Sequence, residues 1–328
     1  MSYRMIFKYT ALRLQRNYLL AMGICLFLFA TPGGGQSEGV NSNAIKVLIV
    51  DGFSNHNWQQ TTRVVRQILE ATDMFEIDVS TTPATPDAPG WETWRPRFDR
   101  YDVVIQNTNN IGKKQLRWPR DVEVALENYV KSGGGLYILH SANNAFSHWH
   151  EYDRMIGLGW RGKDAGTALE VDEDGRIIRI PPGEGKGTSH GPRRDTIVRR
   201  LNSHPINNGY PERWKTPSLE VYSYARGSAE NIAVLSYACD ETTKKYWPIE
   251  WVVRYGKGRV YNSTFGHLWR GEIEPVGVRC IGFQTTLIRA TEWLATEKVT
   301  WPVPSDFPTE SSLSLRDSQT QGKKSKPY

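Results

Sequence analysis

Residues 133–142 read Gly-Gly-Gly-Leu-Tyr-Ile-Leu-His-Ser-Ala and join three structural signals in one stretch. The glycines end a helix that the preceding pattern predicts over 121–132, because glycine is common just past helix C-termini. Leu136–Leu139 is a short apolar run typical of a buried strand. His140 and Ser141 follow where that strand turns into the next element. Such a turn exposes a side chain at the edge of an α/β sheet.

The same alternation of strand and helix fills the first half of the chain. Short apolar runs at 44–50, 75–79 and 101–105 predict buried strands, and residues 58–71 show the apolar spacing of a helix. Strands that are apolar throughout and alternate with helices are typical of a parallel sheet covered on both faces. The sequence therefore predicts an α/β fold of that kind.

The second half of the chain is richer in strands. A hairpin is predicted over 169–180, turning at Asp174-Gly175. Further elements follow, namely strands at 219–224, 232–238 and 258–263 and a closing helix at 277–295. No linker or internal repeat interrupts this region, so we predict one domain over 44–300. Residues 301–328 are rich in Ser, Thr, Pro and Lys, which predicts a disordered tail.

The N-terminus has the pattern of an export signal. Basic residues precede an apolar run over 18–30, and small residues follow it. The run is short for a bilayer core, which needs about 20 residues. We therefore predict a signal peptide over 1–30 and a linker over 31–43, with an uncleaved anchor as the alternative. Cleavage would leave no stable membrane span and place the protein in the periplasm or outside the cell.

Charge and hydropathy exclude several classes of protein. The formal net charge is +6, but most of it comes from basic residues near the two ends of the chain. The predicted domain is close to neutral, whereas a nucleic-acid-binding domain presents a basic face. We therefore expect no nucleic-acid partner. The mean hydropathy of −0.53 excludes a polytopic membrane protein.

Four histidines follow predicted strands or lie in glycine-rich loops: His56, His140, His190 and His267. Because sites in parallel sheets form at the carboxyl ends of strands, we expect these rings to share one pocket. Glu220 supplies a carboxylate in the second half of the chain. Glu220 and one histidine would form an acid/base pair, since imidazole titrates near neutral pH.

Two other kinds of chemistry are weaker alternatives. A Ser141 nucleophile would normally have glycine two positions to either side, and Leu139 and Asn143 stand there instead. Histidines together with Glu220 could hold a zinc ion. Their separations are long, and neither H-x-x-x-H nor E-x-x-H occurs. We therefore predict no cofactor and no metal ligands, with a histidine-bound metal as the less favoured alternative.

The chain contains twelve tryptophans, and half of them lie near the same loops. Each could be a bulky core residue or a flat apolar platform for a sugar ring, and a pocket wall can be both. The six are Trp58, Trp149, Trp160, Trp214, Trp247 and Trp269.

Taken in order, a set of short motifs resembles the ThuA-like (trehalose-utilisation) family over roughly 44–298. The motifs are Gly52 with Asn55–Trp58, Gly133–Ala142, Phe146 with Trp149, Tyr152 and Ile156-Gly157, His204-Pro-Ile with Gly209, Glu220–Tyr222, Pro248 with Trp251, and Tyr255–Val260 with Gly266-His267. One departure is Ser218, where the family often has an acidic residue.

This resemblance implies a class I glutamine amidotransferase-like fold, which is a flavodoxin-like parallel sheet in a single domain. It also implies a role in sugar metabolism. True amidotransferases carry a cysteine at the strand–helix elbow, where this chain has His140, so glutaminase activity is rejected. The remaining cysteines of the predicted mature chain, Cys239 and Cys280, are expected to be two separate thiols.

We therefore predict an exported protein that acts on a glycoside or an oxidised sugar, such as a keto-disaccharide, by acid/base chemistry. The alternative is a non-catalytic carbohydrate-binding protein with the same fold. The sequence leaves the sugar, the bond attacked and the oligomeric state open. Predicted catalytic residues are His56, His140, Glu220 and His267. Predicted substrate-binding residues are Asn55, Trp58, Ser141, Asn143, Trp149, His190 and Tyr222.

Overall fold

The structure, a computed structural model, describes residues 44–318. The predicted signal peptide at 1–30 and linker at 31–43 lie outside the described residues, as do residues 319–328. Within the described range, no helix combines the length and the apolarity that a membrane span requires.

Four strands from the first half of the chain and one from the second half build a parallel sheet. Five strands lie in the order β2-β1-β3-β4-β14, and every neighbouring pair is parallel. The elements are β1 (Ile45–Asp51), α1 (Trp58–Glu70), β2 (Phe75–Thr81), β3 (Val103–Gln106), α2 (Arg120–Lys131), β4 (Gly135–Leu139), α3 (His150–Ile156) and β14 (Gly258–Ser263).

Antiparallel strands extend this sheet in the order β14-β13-β12-β8-β9, and further strands make twelve in all. A separate pair is formed by β7 and β10. The strands are β5 (Thr167–Val171), β6 (Ile177–Ile180), β7 (Ser189–His190), β8 (Arg194–Arg200), β9 (Arg213–Leu219), β10 (Tyr222–Ser223), β11 (Arg226–Gly227), β12 (Ile232–Asp240) and β13 (Lys245–Tyr255). The predicted parallel sheet is thus one part of a larger mixed sheet.

Two of the predicted elements need correction, and one strand was missed. The strand predicted at 219–224 is divided, because Glu220 and Val221 separate β9 from β10 and Ser218 has a φ of 52°. The helix predicted at 277–295 is two helices, α4 (Val276–Arg279) and α5 (Ile281–Thr296). Cys280 separates them because its backbone is extended. The long strand β13 was not predicted at all.

Apolar side chains cover both faces of the sheet in two clusters. One cluster includes Val64 and Ile68 of α1 and Leu287 of α5, and the other includes Leu126 of α2 and Tyr152 of α3. Helices therefore lie on both faces, as the sequence predicts. Helix α5 is buried almost all round, because the segment that follows it packs back onto it.

The prediction of a disordered tail over 301–328 is wrong for residues 301–318. The Phe307 ring packs against Tyr210 at a centroid distance of 4.4 Å and against Trp214 at 5.3 Å. The Lys215 amide donates to the Thr309 carbonyl at 2.9 Å. A few aromatic anchors therefore fix a segment whose average composition is polar. Residues 319–328 lie outside the described range.

We expect Phe307→Ala to lower the free energy of unfolding by about 3 kcal/mol, the usual loss for a truncated core phenylalanine. Leu313→Ala is the matched control, because Leu313 lies in the same segment and is exposed. It should change stability by less than about 0.5 kcal/mol. Urea unfolding measures both. An equal, small effect of the two changes would mean that this segment does not pack on the domain.

A second prediction concerns Glu250, which is buried in β13 and accepts hydrogen bonds from Ser236 and Tyr261. Burial raises the pKa of Glu250 above its usual value. The folded state therefore favours the protonated form. The contribution of this group to stability is fully present below the unfolded pKa of about 4.3 and is lost as pH rises through the folded pKa.

We therefore expect the free energy of unfolding of Glu250→Gln, relative to that of the wild type, to increase as pH rises from about 4 to 8. Glu297→Gln is the control of opposite sign, because hydrogen bonds from Arg254 and Arg259 lower the pKa of Glu297. Its loss of stability should grow with pH. Urea unfolding at several pH values measures both changes, and a pH-independent difference for Glu250→Gln would contradict the first expectation.

Candidate functional site

The elbow after β4 places His140 at the carboxyl end of the sheet. Ser263 of β14 is the parallel partner of Leu139, so the residues that follow the two strands are neighbours. His140 Nδ1 donates to the Thr264 carbonyl at 2.8 Å. This bond fixes the tautomer and leaves Nε2 as the free nitrogen. The His140 φ of 43° confirms the sharp turn expected at this position.

His56 lies in the loop that joins β1 to α1. Gly52 starts this loop with a φ of 128°, and a Cβ there would lie 2.2 Å from the Thr82 carbonyl oxygen. Asn57 ends the loop by capping α1, and its amide donates to the Leu268 carbonyl at 3.1 Å. The loop after β1 is thereby tied to the loop after β14, which carries His267.

Three imidazole rings consequently form a triangle. The ring centroids lie 5.2 Å apart for His56 and His140, 4.9 Å for His56 and His267, and 5.0 Å for His140 and His267. One ring nitrogen from each residue lies within 4.8 Å of the other two. Residues 84 or more positions apart in sequence meet because β1, β4 and β14 end at one edge of the sheet.

The buried carboxylate of Glu220 faces the histidines. Its Oε1 lies 3.2 Å from His267 Nε2 and 3.7 Å from His190 Nε2, and its Oε2 lies 3.6 Å from His140 Nε2. Arg193 donates to His267 Nδ1 at 2.9 Å, so the ring proton of neutral His267 is on Nε2 and points to Glu220. The Tyr222 hydroxyl lies 3.5 Å from His140 Nε2.

A cavity of about 390 Å³ opens above these groups. Aromatic rings form much of its wall, with Trp160 in contact with Tyr222 and His190 at centroid distances of 5.2 and 5.6 Å. The Trp269 side chain is 40% exposed at its rim. The lining residues are Asn55, His56, Ile111, Asn144, Trp160, His190, Arg193, Glu220, Tyr222, His267 and Trp269.

Burial keeps the imidazoles of the triangle neutral. It lowers the pKa of His140 to about 4, and burial with the nearby Arg193 and Arg270 charges lowers the pKa of His56 to about 4. The pKa of His267 is lowered further by burial and by the two other rings. Near neutral pH the cluster therefore offers nitrogen lone pairs beside one carboxylate, a set that can exchange protons or ligate a metal.

A family model described as "ThuA: Trehalose utilisation" matches residues 46–293. The chain belongs to the ThuA family. A ThuA-like protein from Parabacteroides merdae has 33% sequence identity and a TM-score of 0.77, and the alignment covers 84% of this chain and 99% of that one. The resemblance predicted from the sequence motifs is thereby confirmed.

A cytoplasmic protein from Salmonella typhimurium has 14% identity and a TM-score of 0.43, with 77% of this chain and 100% of that one covered. That similarity is too weak to support an argument. The comparison with curated proteins gives no match.

Most of the predicted site residues of this ThuA-family chain meet at the cavity. Asn55, His56, His190, Glu220, Tyr222 and His267 line it, and His140 contacts Glu220 at its base. Asn55 acts mainly by holding His56, because its Oδ1 accepts from His56 Nδ1 at 2.9 Å and from Asn109 at 2.7 Å.

Four predicted substrate-binding residues do not line the cavity: Trp58, Ser141, Asn143 and Trp149. Trp58 is the first residue of α1, and its carbonyl accepts from Asn107. Ser141 and Asn143 are buried in the short 3-10 helix that follows β4. Trp149 packs on Trp118 and donates to Glu127. These residues were predicted from their proximity to the motifs in sequence, but Ser141, Asn143 and Trp149 are buried beside the site and Trp58 is half-buried outside the cavity.

Sequence reasoning did not assign several cavity residues to the site: Ile111, Asn144, Trp160, Arg193 and Trp269. The two tryptophans belong to the group noted near the site loops, and Trp269 could have been found from its place two residues after His267. Arg193 carries no comparable signal, because its role depends on β7 and β8 bringing it beside His267.

Proposed function

We propose that the protein is an exported carbohydrate-active enzyme in which Glu220 is the general base that takes a proton from the sugar. The observation that carries this proposal is the buried Glu220 carboxylate, whose oxygens lie 3.2, 3.6 and 3.7 Å from three histidine nitrogens at the base of an open cavity. A carboxylate held in this way is oriented before substrate arrives, which is what general acid/base catalysis requires.

The roles of the surrounding groups follow from their contacts. Glu220 would take a proton from the sugar, and the neutral ring of His140 or His267 would hold or return it. His56 packs against both of these rings and restricts their positions. Hydrolysis, elimination and isomerisation of a glycoside or a keto-sugar all require such a base, so the arrangement is compatible with each of them.

The form of the cavity supports a carbohydrate ligand. Its volume of about 390 Å³ lies within the range of small-molecule sites. The indole rings of Trp160 and Trp269 offer flat apolar faces to the C–H side of a sugar ring. Asn144 offers amide groups to hydroxyls. The name of the family, trehalose utilisation, points to the same class of substrate.

We also propose the finer fold assignment to the flavodoxin-like, class I glutamine amidotransferase-like group. The parallel strand order β2-β1-β3-β4-β14 corresponds to the order 2-1-3-4-5 of flavodoxin-like sheets. Glutaminase chemistry is not part of the proposal, because His140 occupies the elbow. Among the described residues the free cysteines are Cys239 and Cys280, and neither lines the cavity.

The test is a turnover screen of the chain from residue 31 onward against glycosides and 3-keto-glycosides. On the substrate found, Glu220→Gln should lower kcat by about 10²–10⁴-fold while the KM changes little, because it removes the base and keeps the shape. Glu76→Gln is the matched control, since Glu76 is exposed on β2. An unchanged kcat in Glu220→Gln would refute the assignment of the base.

The non-catalytic alternative makes a different prediction in the same screen. If the protein only binds sugar, no substrate is turned over by any variant. Trp269→Ala would still weaken sugar binding, because Trp269 forms the exposed rim of the cavity. Sugar binding detected by isothermal titration in the absence of any turnover would therefore identify a binding protein. Trp58→Ala serves as the control, since Trp58 does not line the cavity.

Export is the last part of the proposal and has its own test. Residues 1–30 carry a basic segment followed by an apolar run, which supports removal of this segment during export. N-terminal sequencing of the native protein should find a start after residue 30. An intact Met1 in the membrane fraction would indicate an anchor, and an intact Met1 in the cytosol would refute export.

A further inference from the structure

We propose that His56, His140 and His267 bind one divalent transition-metal ion. One nitrogen from each ring lies within 4.8 Å of the other two. In a tetrahedral site with metal–nitrogen distances of about 2.0–2.1 Å, the nitrogens stand about 3.4 Å apart. Small rotations of the three rings close the remaining difference. The inference depends on this geometry and not on the substrate proposed above.

Hydrogen bonds at the outer nitrogens prepare two of the rings for ligation. His140 Nδ1 donates to the Thr264 carbonyl at 2.8 Å, and His56 Nδ1 donates to Asn55 Oδ1 at 2.9 Å. A bond from the second ring nitrogen to a carbonyl or amide oxygen is the usual support of a metal-ligating histidine. It fixes the tautomer in which Nε2 carries the free lone pair.

His56 supplies an independent indication of a ligand. Its Nε2 is a buried polar atom and has no hydrogen-bond partner among the described residues. Leaving a buried acceptor unpaired costs free energy, so such atoms are uncommon and call for an explanation. A metal ion at the centre of the triangle would satisfy this atom.

The third ring has a carboxylate as its outer partner. His267 Nδ1 lies 3.8 Å from Glu272 Oε2, and Arg193 bridges the two residues by contacting His267 at 2.9 Å and Glu272 at 3.0 Å. When Nε2 binds an ion, the ring proton moves to Nδ1. Glu272 can then accept that proton in a hydrogen bond as Arg193 moves aside, which gives the carboxylate–histidine–metal arrangement.

The donor set indicates the kind of ion and its exposure. Three imidazoles favour zinc, cobalt, nickel, copper or iron over magnesium or calcium, which prefer oxygen ligands. Three protein ligands leave a fourth position open, as in catalytic zinc sites. Glu220 lies beside His140 and His267 and lines the cavity, so it can bind the ion or a water molecule on it.

The experiment measures metal binding itself. The chain from residue 31 onward is purified, treated with chelator, dialysed and titrated with Co²⁺. We expect one Co²⁺ per chain, a visible d–d absorption band, and displacement of the Co²⁺ by Zn²⁺. His56→Ala and His267→Ala should each weaken binding by at least about 100-fold, because even outer partners of such ligands contribute 10–100-fold. His150→Ala is the control, since His150 is exposed at the start of α3.

Asn55→Ala tests the outer support without removing a ligand and should weaken Co²⁺ binding by about 10-fold. Asn55→Ala also keeps the inference testable if the histidine variants misfold. Thermal unfolding of each variant checks that it is folded. The inference is overturned if the wild type takes up no stoichiometric Co²⁺, or if folded His56→Ala and His267→Ala bind it as tightly as the wild type does.

The result of the metal-binding test can be distinguished from the result of the turnover test of the proposed function. Glu220→Gln protein that binds Co²⁺ without turnover supports both proposals. A wild type that turns over sugar but takes up no stoichiometric Co²⁺ would overturn the metal site and leave the acid/base proposal standing. Stoichiometric Co²⁺ binding by a protein that turns over no sugar would support the metal site alone.

Discussion

The parallel pairing of β4 with β14 is the constraint on which the site depends. Leu139 and Ser263 are partners at the ends of these strands, so the chain leaves the sheet at two adjacent points. The His140 ring can therefore donate to the Thr264 carbonyl at 2.8 Å. Backbone contact enforces the position of β4, since a Cβ at Gly135 would lie 2.7 Å from the Leu294 carbonyl oxygen of α5. The start of β4 is therefore packed against α5, and its end is paired with the end of β14.

The second requirement is that buried charge near the elbow be balanced. Glu220 is almost fully buried, and a carboxylate in such a position needs hydrogen bonds or a positive partner. His267 Nε2 lies 3.2 Å from Glu220 Oε1, and Arg193 supplies positive charge behind that ring. His140 occupies a left-handed backbone conformation that costs about 1–2 kcal/mol for a residue other than glycine. Such strain, held by the surrounding packing, is typical of functional positions.

The sequence located His56, His140 and His267 because each one follows an apolar run that only a buried strand explains. It did not find β13, because Pro248 and Glu250 interrupt that strand and proline argues against a central strand. The pairing of β12 with β13 shifts register between Ser236 and Tyr237, next to Pro248, which is how the sheet accommodates it. The sequence of either strand alone does not reveal that a register shift in one strand accommodates a proline in its neighbour.

Aromatic residues show the other limit of sequence reasoning. Trp149 and Trp269 both lie near site histidines in sequence, but one packs on Trp118 in the core and the other forms the cavity rim. Their difference arises from the direction of the chain after each histidine, which composition does not record. The same applies to Phe307, whose contacts with Tyr210 and Trp214 place a polar segment on the domain.

The three histidines of the triangle are supported by three different segments, and this separation has a physical consequence. His140 is held by a backbone carbonyl, His56 by a side chain of its own loop, and His267 by Arg193 from another loop and Glu272 from its own. The first support is as rigid as the sheet, whereas the other two depend on loops that also line the cavity. The sheet therefore fixes the position of His140 directly, whereas the positions of His56 and His267 depend on the contacts between the loops around the cavity.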